Sequence, residues 1–294
     1  MAEYIDLGLG SCVGTMDYDN YDPANLPKLP KDEEKIWYSK YYYKGRCDIP
    51  EKDAARLKKG NPMDPKKALL PEMAYSLTDS GYDEDDFGYC LLPNGCGYGA
   101  TRCVLPDVNM EMYMWYKMLR LTDRLSYAIW YPGSHVSEIN GITIEDVGYG
   151  PEKFQGVDGI NWRSLGFAQD PAKVDPQYLG MIGGNSIIYN LKYDNVIPRT
   201  LSLFHYIRQM DSGGIEFRTH FYVGMHIVDG RSVITQHIQS EQCLEIARTM
   251  AHHCAYERTN LNSFLPEIYE KMKDIKLVIP ENIKESVPMD IAKK

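Results

Sequence analysis

The stretch Ser240–Phe264, SEQCLEIARTMAHHCAYERTNLNSF, carries the clearest secondary-structure signal in the chain. It contains no proline or glycine and is rich in residues that favour helices, so it predicts one long helix. At the helical period, one side of this helix carries a nearly continuous apolar stripe. The stripe consists of Cys243, Ile246, Met250, His253, Glu257, Leu261 and Phe264.

Two ionisable residues, His253 and Glu257, lie in the middle of this stripe. Because they are four residues apart, their side chains are neighbours on the helix. Burying such groups is costly unless they are paired or bind a metal ion, and an imidazole with a carboxylate suits a divalent ion such as zinc. A helical His–Glu pair is more often a hydrogen bond or a solvated ion pair, so the pair alone leaves both interpretations open. His252 is expected to lie outside the stripe.

The composition of the 294-residue chain is typical of a globular protein with one large or two modest domains. Its formal net charge of −9 argues against nucleic acid as a partner, since phosphate backbones bind clustered Lys and Arg. No apolar run is long enough to cross a membrane, and the N-terminus lacks the pattern of a secretory signal. The 7 cysteines include no CxxC pair, so we expect reduced thiols and a cytoplasmic location.

The order of predicted elements separates an irregular N-terminal part from a more regular remainder. Residues 1–80 are rich in Pro, Lys and Asp and predict a small irregular lobe or arm. We therefore divide the chain into an N-terminal domain, residues 1–85, and a main domain, residues 86–294. We predict a helix at Asn109–Arg124 and strands at Gly88–Leu92, Ser126–Tyr131, Ile142–Val147, Asn185–Tyr193, Leu201–Met210 and Ile215–Met225.

The last two strands are joined by the turn Asp211–Gly214 and predict an antiparallel hairpin. Alternation puts His205 on the apolar side of this hairpin and His220 and His226 on the other side. Antiparallel strands followed by a long helix with one apolar face indicate an α+β fold. A curved sheet around such a helix encloses a mostly apolar cavity that suits a small ligand.

Four stretches of the chain, taken together and in order, carry a resemblance to a known protein family. They are GYDEDDFGYCLLPNGCGYGA (81–100), YAIWYPGSH (127–135), LFHYIRQMDSGGIEFRTHFYVG (203–224) and HHCAYERTNLNSFLPEIY (252–269). They resemble the family of 2,4-diacetylphloroglucinol hydrolase and phloretin hydrolase, and the similarity runs from about Leu69 to about Tyr269.

The resemblance implies a hydrolase that cleaves the carbon–carbon bond between an acyl group and a phloroglucinol-type phenolic ring. The products would be a phenol and a carboxylic acid, and the substrate would be a small phenolic ketone. The implied fold is helix-grip, a curved antiparallel sheet around a long C-terminal helix as in the birch-pollen allergen Bet v 1. A smaller N-terminal domain and a homodimer are also implied.

The resemblance further implies a zinc ion held by two His and two Glu. His135 follows the Trp-x-Pro turn at which the family has its first ligand, and His253 and Glu257 match the ligands on the C-terminal helix. The remaining Glu of the family lies in a Glu-x-x-Gly pattern, which Glu145 matches best.

The position of the fourth ligand stays open, because the segment between His135 and Glu145 is shorter than is usual in the family. Glu138, Asp146 and Gln177 are the alternatives to Glu145. Two imidazoles and two carboxylates suit zinc, although the same set also suits Mn or Fe.

Four residues match positions that the family uses for catalysis or substrate binding. Tyr127 matches a tyrosine that contacts the phenolic substrate, and His205 matches a His thought to stabilise or protonate the substrate during cleavage. Phe221 stands where the family has a tyrosine, and Glu138 stands where it has an asparagine. Because these departures change hydrogen-bonding contacts to the substrate, the identity of the acylphenol stays open.

Two other functions are compatible with the same sequence. One is a hydrolase of the same fold that acts on another β-diketone or on an ester. The other is a helix-grip protein that carries a hydrophobic ligand without chemistry and needs no metal. A serine hydrolase is not indicated, since no G-x-S-x-G motif occurs, and Cys254 is better explained as a small packing residue than as a nucleophile.

Overall fold

The structure, a computed structural model, describes residues 4–6, 12–14, 18–81, 86–135, 175–188, 199–228, 231–234 and 240–277. Its helices are α1 (Lys40–Lys44), α2 (Glu51–Arg56), α3 (Met110–Thr122), α4 (Arg124–Trp130) and α5 (Ser240–Met272). Its strands are β1 (Tyr4–Asp6), β2 (Cys12–Gly14), β3 (Gly88–Leu91), β4 (Gly97–Leu105), β5 (Tyr178–Ile188), β6 (Arg199–Gln209), β7 (Ile215–Val223), β8 (Met225–Val228) and β9 (Arg231–Ile234). Short 3₁₀ turns occur at Tyr18–Asn20, Pro23–Asn25, Glu33–Lys35, Trp37–Ser39, Pro65–Lys67 and Pro71–Thr78.

The described part of the main sheet has five antiparallel strands in the spatial order β3-β4-β7-β6-β5. β6 and β7 form the predicted hairpin, and their register puts His205 opposite Thr219. The side chains of His205 and Thr219 face α5, which packs mainly on β4 and also on β7. An antiparallel sheet with a long C-terminal helix confirms the α+β prediction and is compatible with a helix-grip arrangement.

The long C-terminal helix is confirmed, and it extends further than predicted. α5 spans 33 residues and contains Pro266, which costs the helix one backbone hydrogen bond without ending it. Each of the seven residues of the apolar stripe is buried, including His253 and Glu257. No helix among the described residues combines the length and apolarity needed to cross a bilayer.

Two glycines in β4 allow α5 to approach the sheet closely. A Cβ atom at Gly97 would lie 2.2 Å from the carbonyl oxygen of Cys243, and one at Gly99 would lie 2.8 Å from that of Ala247. Both distances are shorter than a normal van der Waals contact, so the backbone of α5 leaves no room for a side chain at these positions. Gly97 and Gly99 therefore have a packing role.

We expect Gly97→Ala to lower the free energy of unfolding by roughly 1–3 kcal/mol, because the added methyl group forces α5 away from β4. Chemical denaturation measures this change. Val104→Ala in the same strand is the control, because the Val104 side chain is 38% exposed and its truncation should change stability by less than about 0.5 kcal/mol. A Gly97→Ala variant as stable as the native chain would contradict the close approach.

The opposite face of the sheet is also buried. Its core includes Tyr98, Phe204, Tyr206 and Tyr222, and the segment of residues 63–77 covers it. His220 lies on this face, as alternation predicts, but it is fully buried. Its Nε2 atom lies 2.6 Å from Oδ2 of Asp86, whose Oδ1 accepts a hydrogen bond of 2.7 Å from the Tyr98 hydroxyl.

The Asp86 carboxylate contributes stability that depends on pH. Burial raises the pKa of Asp86, but His220, Tyr98 and Arg218 together lower it more, so the net pKa lies below its ordinary value. A carboxylate with a lowered pKa stabilises the fold above its unfolded-state pKa, and this contribution disappears as the pH falls through the folded-state pKa.

We therefore expect Asp86→Asn to lower the free energy of unfolding at pH 7 by roughly 1.5–3 kcal/mol, the value of hydrogen bonds to a charged group. The difference between variant and native chain should shrink steadily as the pH is lowered into the acid range. Urea unfolding over a pH series measures both effects, and a difference that stays constant with pH would contradict the assignment.

One predicted element is wrong: Ser126–Tyr131 is not a strand, because residues Arg124–Trp130 form the helix α4. Asp123 explains the difference. Its side chain accepts a hydrogen bond of 2.6 Å from the Ser126 backbone N–H and so caps the first turn of α4. The predicted strand Ile142–Val147 lies outside the described residues, and β5 begins at Tyr178, earlier than predicted.

The described N-terminal residues form mostly short helical turns, and they pack on α5. Tyr41, Tyr42 and Leu57 belong to the same hydrophobic cluster as Phe264 and Ile268 of α5. The division into residues 1–85 and 86–294 stays a prediction.

Candidate metal centre

Three potential ligand atoms from distant parts of the chain converge inside the protein. Nε2 of His135 lies 3.2 Å from Nε2 of His253 and 3.4 Å from Oε2 of Glu257. His253 Nε2 lies 3.2 Å from the same Glu257 oxygen. All three side chains are buried, and their ligand atoms lie within 4.8 Å of one another, as a site for one metal ion requires.

The end of α4 and the following turn place His135. The backbone N–H groups of Ser134 and His135 both donate to the Tyr131 carbonyl, which turns the chain back toward α4. His135 Nδ1 then lies 3.1 Å from the Tyr127 carbonyl oxygen. A carbonyl only accepts, so Nδ1 carries the proton and Nε2 keeps its lone pair for a cation.

The two helical ligands are placed by the one-turn spacing of α5. His253 Nδ1 lies 3.2 Å from the Ser134 hydroxyl, which gives the second imidazole a polar partner on the side away from the cluster. This arrangement matches the usual metal-ligating histidine, in which one ring nitrogen binds the ion and the other is held by an oxygen.

The protonation states in the cluster suit cation binding. Burial lowers the pKa of His135 to about 4, so its imidazole is neutral at pH 7. Burial raises the pKa of Glu257, but its polar surroundings, above all the adjacent Arg258 guanidinium, lower it more, so the carboxylate is ionised. Neutral imidazoles and a charged carboxylate are the forms that coordinate divalent ions such as zinc.

Aromatic rings enclose the cluster. The Tyr127 ring stacks on His135, with centroids 4.2 Å apart and an interplanar angle of 9°. The Tyr131 ring stacks on His253 at 4.9 Å, and its hydroxyl accepts a hydrogen bond of 3.0 Å from Arg46 Nη1. Arg46, from the N-terminal part of the chain, therefore holds one of the rings that enclose the cluster.

His205 lies close to the cluster without belonging to it. Its Nδ1 is 2.8 Å from the Thr219 hydroxyl, and its Nε2 is 3.3 Å from Nη2 of Arg258. The Phe221 ring meets the His205 ring edge-on, with centroids 6.2 Å apart. Arg258 is in turn 3.4 Å from Oε1 of Glu257, so it connects His205 to the cluster.

The remaining sequence-predicted ligands fall in two groups. Glu145, Glu138 and Asp146 lie outside the described residues, so the identity of a fourth ligand stays a prediction. Gln177 is described, and its amide is hydrogen-bonded to Arg208 and to Asp211 rather than directed at the cluster.

Arg258 is a residue of the site that the sequence reasoning missed. It follows Glu257 and lies about 100° round the helix from it, off the apolar stripe, where an arginine is usually exposed to solvent. It is only 3% exposed. His252 lies off the cluster as expected, but it is buried and stacks on Tyr256 with centroids 4.5 Å apart.

Cys254 has the environment of a packing residue. Burial raises the pKa of its thiol, so the thiolate needed for nucleophilic attack is disfavoured. Its Sγ atom lies 3.5 Å from the Thr219 hydroxyl, between α5 and the sheet.

Comparison with known proteins gives a consistent family assignment. The family profile described as "DAPG hydrolase PhiG domain" matches residues 70–270, a span that contains Tyr127, His135, His205, His253 and Glu257. The chain is 24% identical to 2,4-diacetylphloroglucinol hydrolase of Pseudomonas protegens over 268 residues, which cover 80% of this chain and 84% of that protein.

Two further relatives have the same level of identity. A 2,4-diacetylphloroglucinol hydrolase of a Pseudomonas species is 24% identical over 268 residues, covering 80% of this chain and 87% of that protein. Phloretin hydrolase of Eubacterium ramulus is 24% identical over 285 residues, covering 88% of this chain and 98% of that protein. The resemblance noted from the four sequence stretches is thereby confirmed.

Proposed function

The chain belongs to the DAPG hydrolase family, and on this premise we propose that it is a metal-dependent hydrolase of phenolic ketones. It cleaves the carbon–carbon bond between an acyl group and a phloroglucinol-type ring and releases a phenol and a carboxylic acid. The observation that carries the proposal is the buried convergence of His135 Nε2, His253 Nε2 and Glu257 Oε2 within the region that matches the family.

The ion that we propose is zinc, held by His135, His253, Glu257 and a fourth ligand, for which Glu145 remains our first choice. Two imidazoles and a carboxylate fit zinc and also admit Mn or Fe. When bound, such an ion supplies a Lewis acid and lowers the pKa of water to about 7.

The substrate chemistry explains why phenolic hydroxyls are needed. An aryl ketone does not release its ring easily, because the leaving group would be an aryl carbanion. With hydroxyls ortho or para to the acyl group, the ring can adopt a keto tautomer, and the acyl bond becomes that of a β-diketone. The oxygen of water adds to the acyl carbonyl carbon, the carbon–carbon bond breaks, and its electron pair passes into the ring as an enolate. The ring carbon keeps the hydrogen that it gained in the tautomerisation, and a proton from the attacking water returns to the enolate oxygen, which restores the phenol.

The residues around the cluster suit the orientation and proton transfer that this reaction needs. Tyr127, stacked on His135, brings a phenolic side chain to the edge of the cluster, where it can orient a phenolic oxygen of the substrate. His205 offers an imidazole for proton transfer at the ring. Phe221 lies beside His205 without a hydroxyl. Glu138 stands at the sequence position where the family has an asparagine, and we assign both residues to substrate selection.

The experiment that tests this function is a turnover panel of acylphloroglucinols and phloretin, with free phloroglucinol measured as the product. Bound metal per chain is measured on the same protein. Metal-dependent release of phloroglucinol from at least one compound is the expected result. Failure of the metal-loaded protein to cleave any of them would refute the assignment.

A second candidate is a hydrolase of the same family that acts on another β-diketone or on an ester. Phe221 favours it, because an apolar ring beside His205 removes a hydrogen bond that a phenolic hydroxyl of the substrate would otherwise receive. The same panel distinguishes the two when extended with simple β-diketones and aryl esters. A non-catalytic carrier of hydrophobic ligands would bind panel compounds without consuming them and without metal.

Three finer expectations belong to the same proposal. The fold is expected to be helix-grip of the Bet v 1 type, the assembly a homodimer and the location cytoplasmic. Sedimentation velocity of the purified chain tests the assembly state, since a monomer across the accessible concentration range would contradict the homodimer. The cytoplasmic location is tested by fractionation of the source cells.

A further inference from the structure

Arg258 is a buried cation with three directed polar contacts. Its side chain is 3% exposed, and Nη1 donates a hydrogen bond of 3.0 Å to the Tyr113 hydroxyl. Nη2 lies 3.3 Å from His205 Nε2 and 3.4 Å from Glu257 Oε1. The guanidinium carbon lies 5.0 Å from the centre of the Trp130 ring.

The contact with Arg258 determines the tautomer of His205. A guanidinium has donors and no acceptor, so Nε2 of His205 must accept the hydrogen bond with its lone pair. Nδ1 then carries the N–H proton of the ring, and this N–H donates a hydrogen bond of 2.8 Å to the Thr219 hydroxyl. His205 is therefore neutral in this structure, and both of its nitrogens have a defined partner.

Because of the contact with Arg258, the two carboxylate oxygens of Glu257 have different partners. Oε2 faces His135 and His253 at 3.4 and 3.2 Å, whereas Oε1 faces the guanidinium at 3.4 Å. Glu257 thus offers one oxygen to the cluster and the other to Arg258. A guanidinium presents its donors as a fork, in fixed directions in one plane, and so holds the imidazole, the carboxylate and the phenol hydroxyl in a defined arrangement, which a lysine ammonium on a flexible chain does not reproduce.

We propose that Arg258 is a positioning residue, which holds His205 in its Nδ1–H tautomer and orients it relative to Glu257 and the candidate metal centre. The proposal deepens the hydrolase function above and rests on it for its catalytic consequence. A side chain needed only for packing would not require this fork, because apolar residues of similar volume fill such positions at comparable stability.

The test compares Arg258→Gln and Arg258→Lys with the native chain in three measurements. The first is the ¹⁵N spectrum of the His205 imidazole, assigned with the His205→Ala variant, which distinguishes a protonated from an unprotonated ring nitrogen. The second is zinc bound per chain at saturating zinc. The third is kcat on an acylphloroglucinol that the native chain cleaves.

We expect the native spectrum to show one tautomer, with Nδ1 protonated. Arg258→Gln should show a mixed or inverted tautomer and a kcat lower by about 10–100-fold, the loss typical of residues that orient a metal-site group. Zinc at saturation should remain near the native amount. Arg258→Lys should keep the charge yet fail to restore kcat, because one ammonium cannot replace the fork.

Arg248→Gln is the matched control. Arg248 is a second buried arginine on α5, and it pairs with Asp19 and Glu245 away from the cluster. This variant should leave the His205 spectrum and kcat unchanged.

Two outcomes would overturn the proposal. Arg258→Gln with a native His205 spectrum and native kcat would show that the contact does not position His205. Loss of zinc with an unchanged His205 spectrum would restrict Arg258 to supporting Glu257. If the native chain cleaved no acylphenol, the hydrolase function would fail, while the ¹⁵N spectra would still decide whether Arg258 sets the tautomer.

Discussion

Changing His253 to alanine is expected to abolish metal binding and turnover together. His253 Nε2 is one of the three converging atoms, at 3.2 Å from both His135 Nε2 and Glu257 Oε2. Without it, the described part of the site keeps one imidazole and one carboxylate, so a bound cation would lose one of its three described ligands. The loss of activity should exceed the roughly 10–100-fold typical of residues that only support a ligand.

The chain offers a closely matched control for this variant in His252. It is the adjacent histidine on α5, it is equally buried, and its ring stacks on Tyr256 instead of facing the cluster. We expect His252→Ala to keep its metal and its turnover. Metal content by mass spectrometry, kcat and the melting temperature of each variant, with and without added zinc, separate loss of a ligand from loss of the fold.

Glu257 gives the same test from the carboxylate side. Glu257→Ala should also remove metal and turnover, but it leaves the Arg258 cation without its carboxylate, and breaking a buried pair in this way costs about 3–5 kcal/mol. Glu257→Gln keeps the shape of the side chain and is the better variant for measuring metal affinity. Full activity of any of these variants in metal-free form would rule out the metal-dependent scheme.

The long helix and its ligand pair were predictable because they depend on local periodicity. An uninterrupted run of helix-forming residues needs no tertiary information, and the four-residue spacing brings His253 and Glu257 side by side wherever the helix packs. His135 is different, because it is 118 residues away from His253 in the chain. Its approach to the pair depends on the whole fold, and only the family resemblance indicated it.

The error at Ser126–Tyr131 has a local cause. Short apolar runs fit a buried strand as well as a buried helix, and periodicity does not separate the two. Asp123 was the available signal, since an aspartate three residues before Ser126 is a good N-cap. All but the first residue of α4 are buried, so no polar side of the helix appears in the sequence.

Arg258 was missed because the amphipathic rule assumes that a helix has one buried side. Residues 250–258 of α5 are all buried, since the sheet, α4 and the N-terminal segment surround this part of the helix. A charged residue there is not on a solvent-facing side, and two of its three partners, His205 and Tyr113, come from β6 and α3 rather than from its own helix. The sequence pattern of one element does not contain that information.

His205→Ala is expected to leave metal binding intact while turnover falls steeply. In the structure, the His205 nitrogens are directed at Thr219 and Arg258, and neither faces the three converging ligand atoms. Removing the imidazole therefore removes a proton-transfer group without removing a ligand. The expected loss in kcat is about 10²–10⁴-fold, the usual contribution of a positioned acid or base.

Two measurements on the same preparation decide this prediction. Zinc per chain should equal that of the native protein, and kcat with a phloroglucinol-type ketone should fall by the stated factor. Thr219→Val is the informative companion variant, because it keeps the imidazole and removes the hydroxyl that accepts the hydrogen bond from Nδ1–H, so its effect on kcat should be smaller. Loss of metal in His205→Ala would mean that His205 belongs with the ligands, and unchanged turnover would mean that the proton reaches the ring by another group.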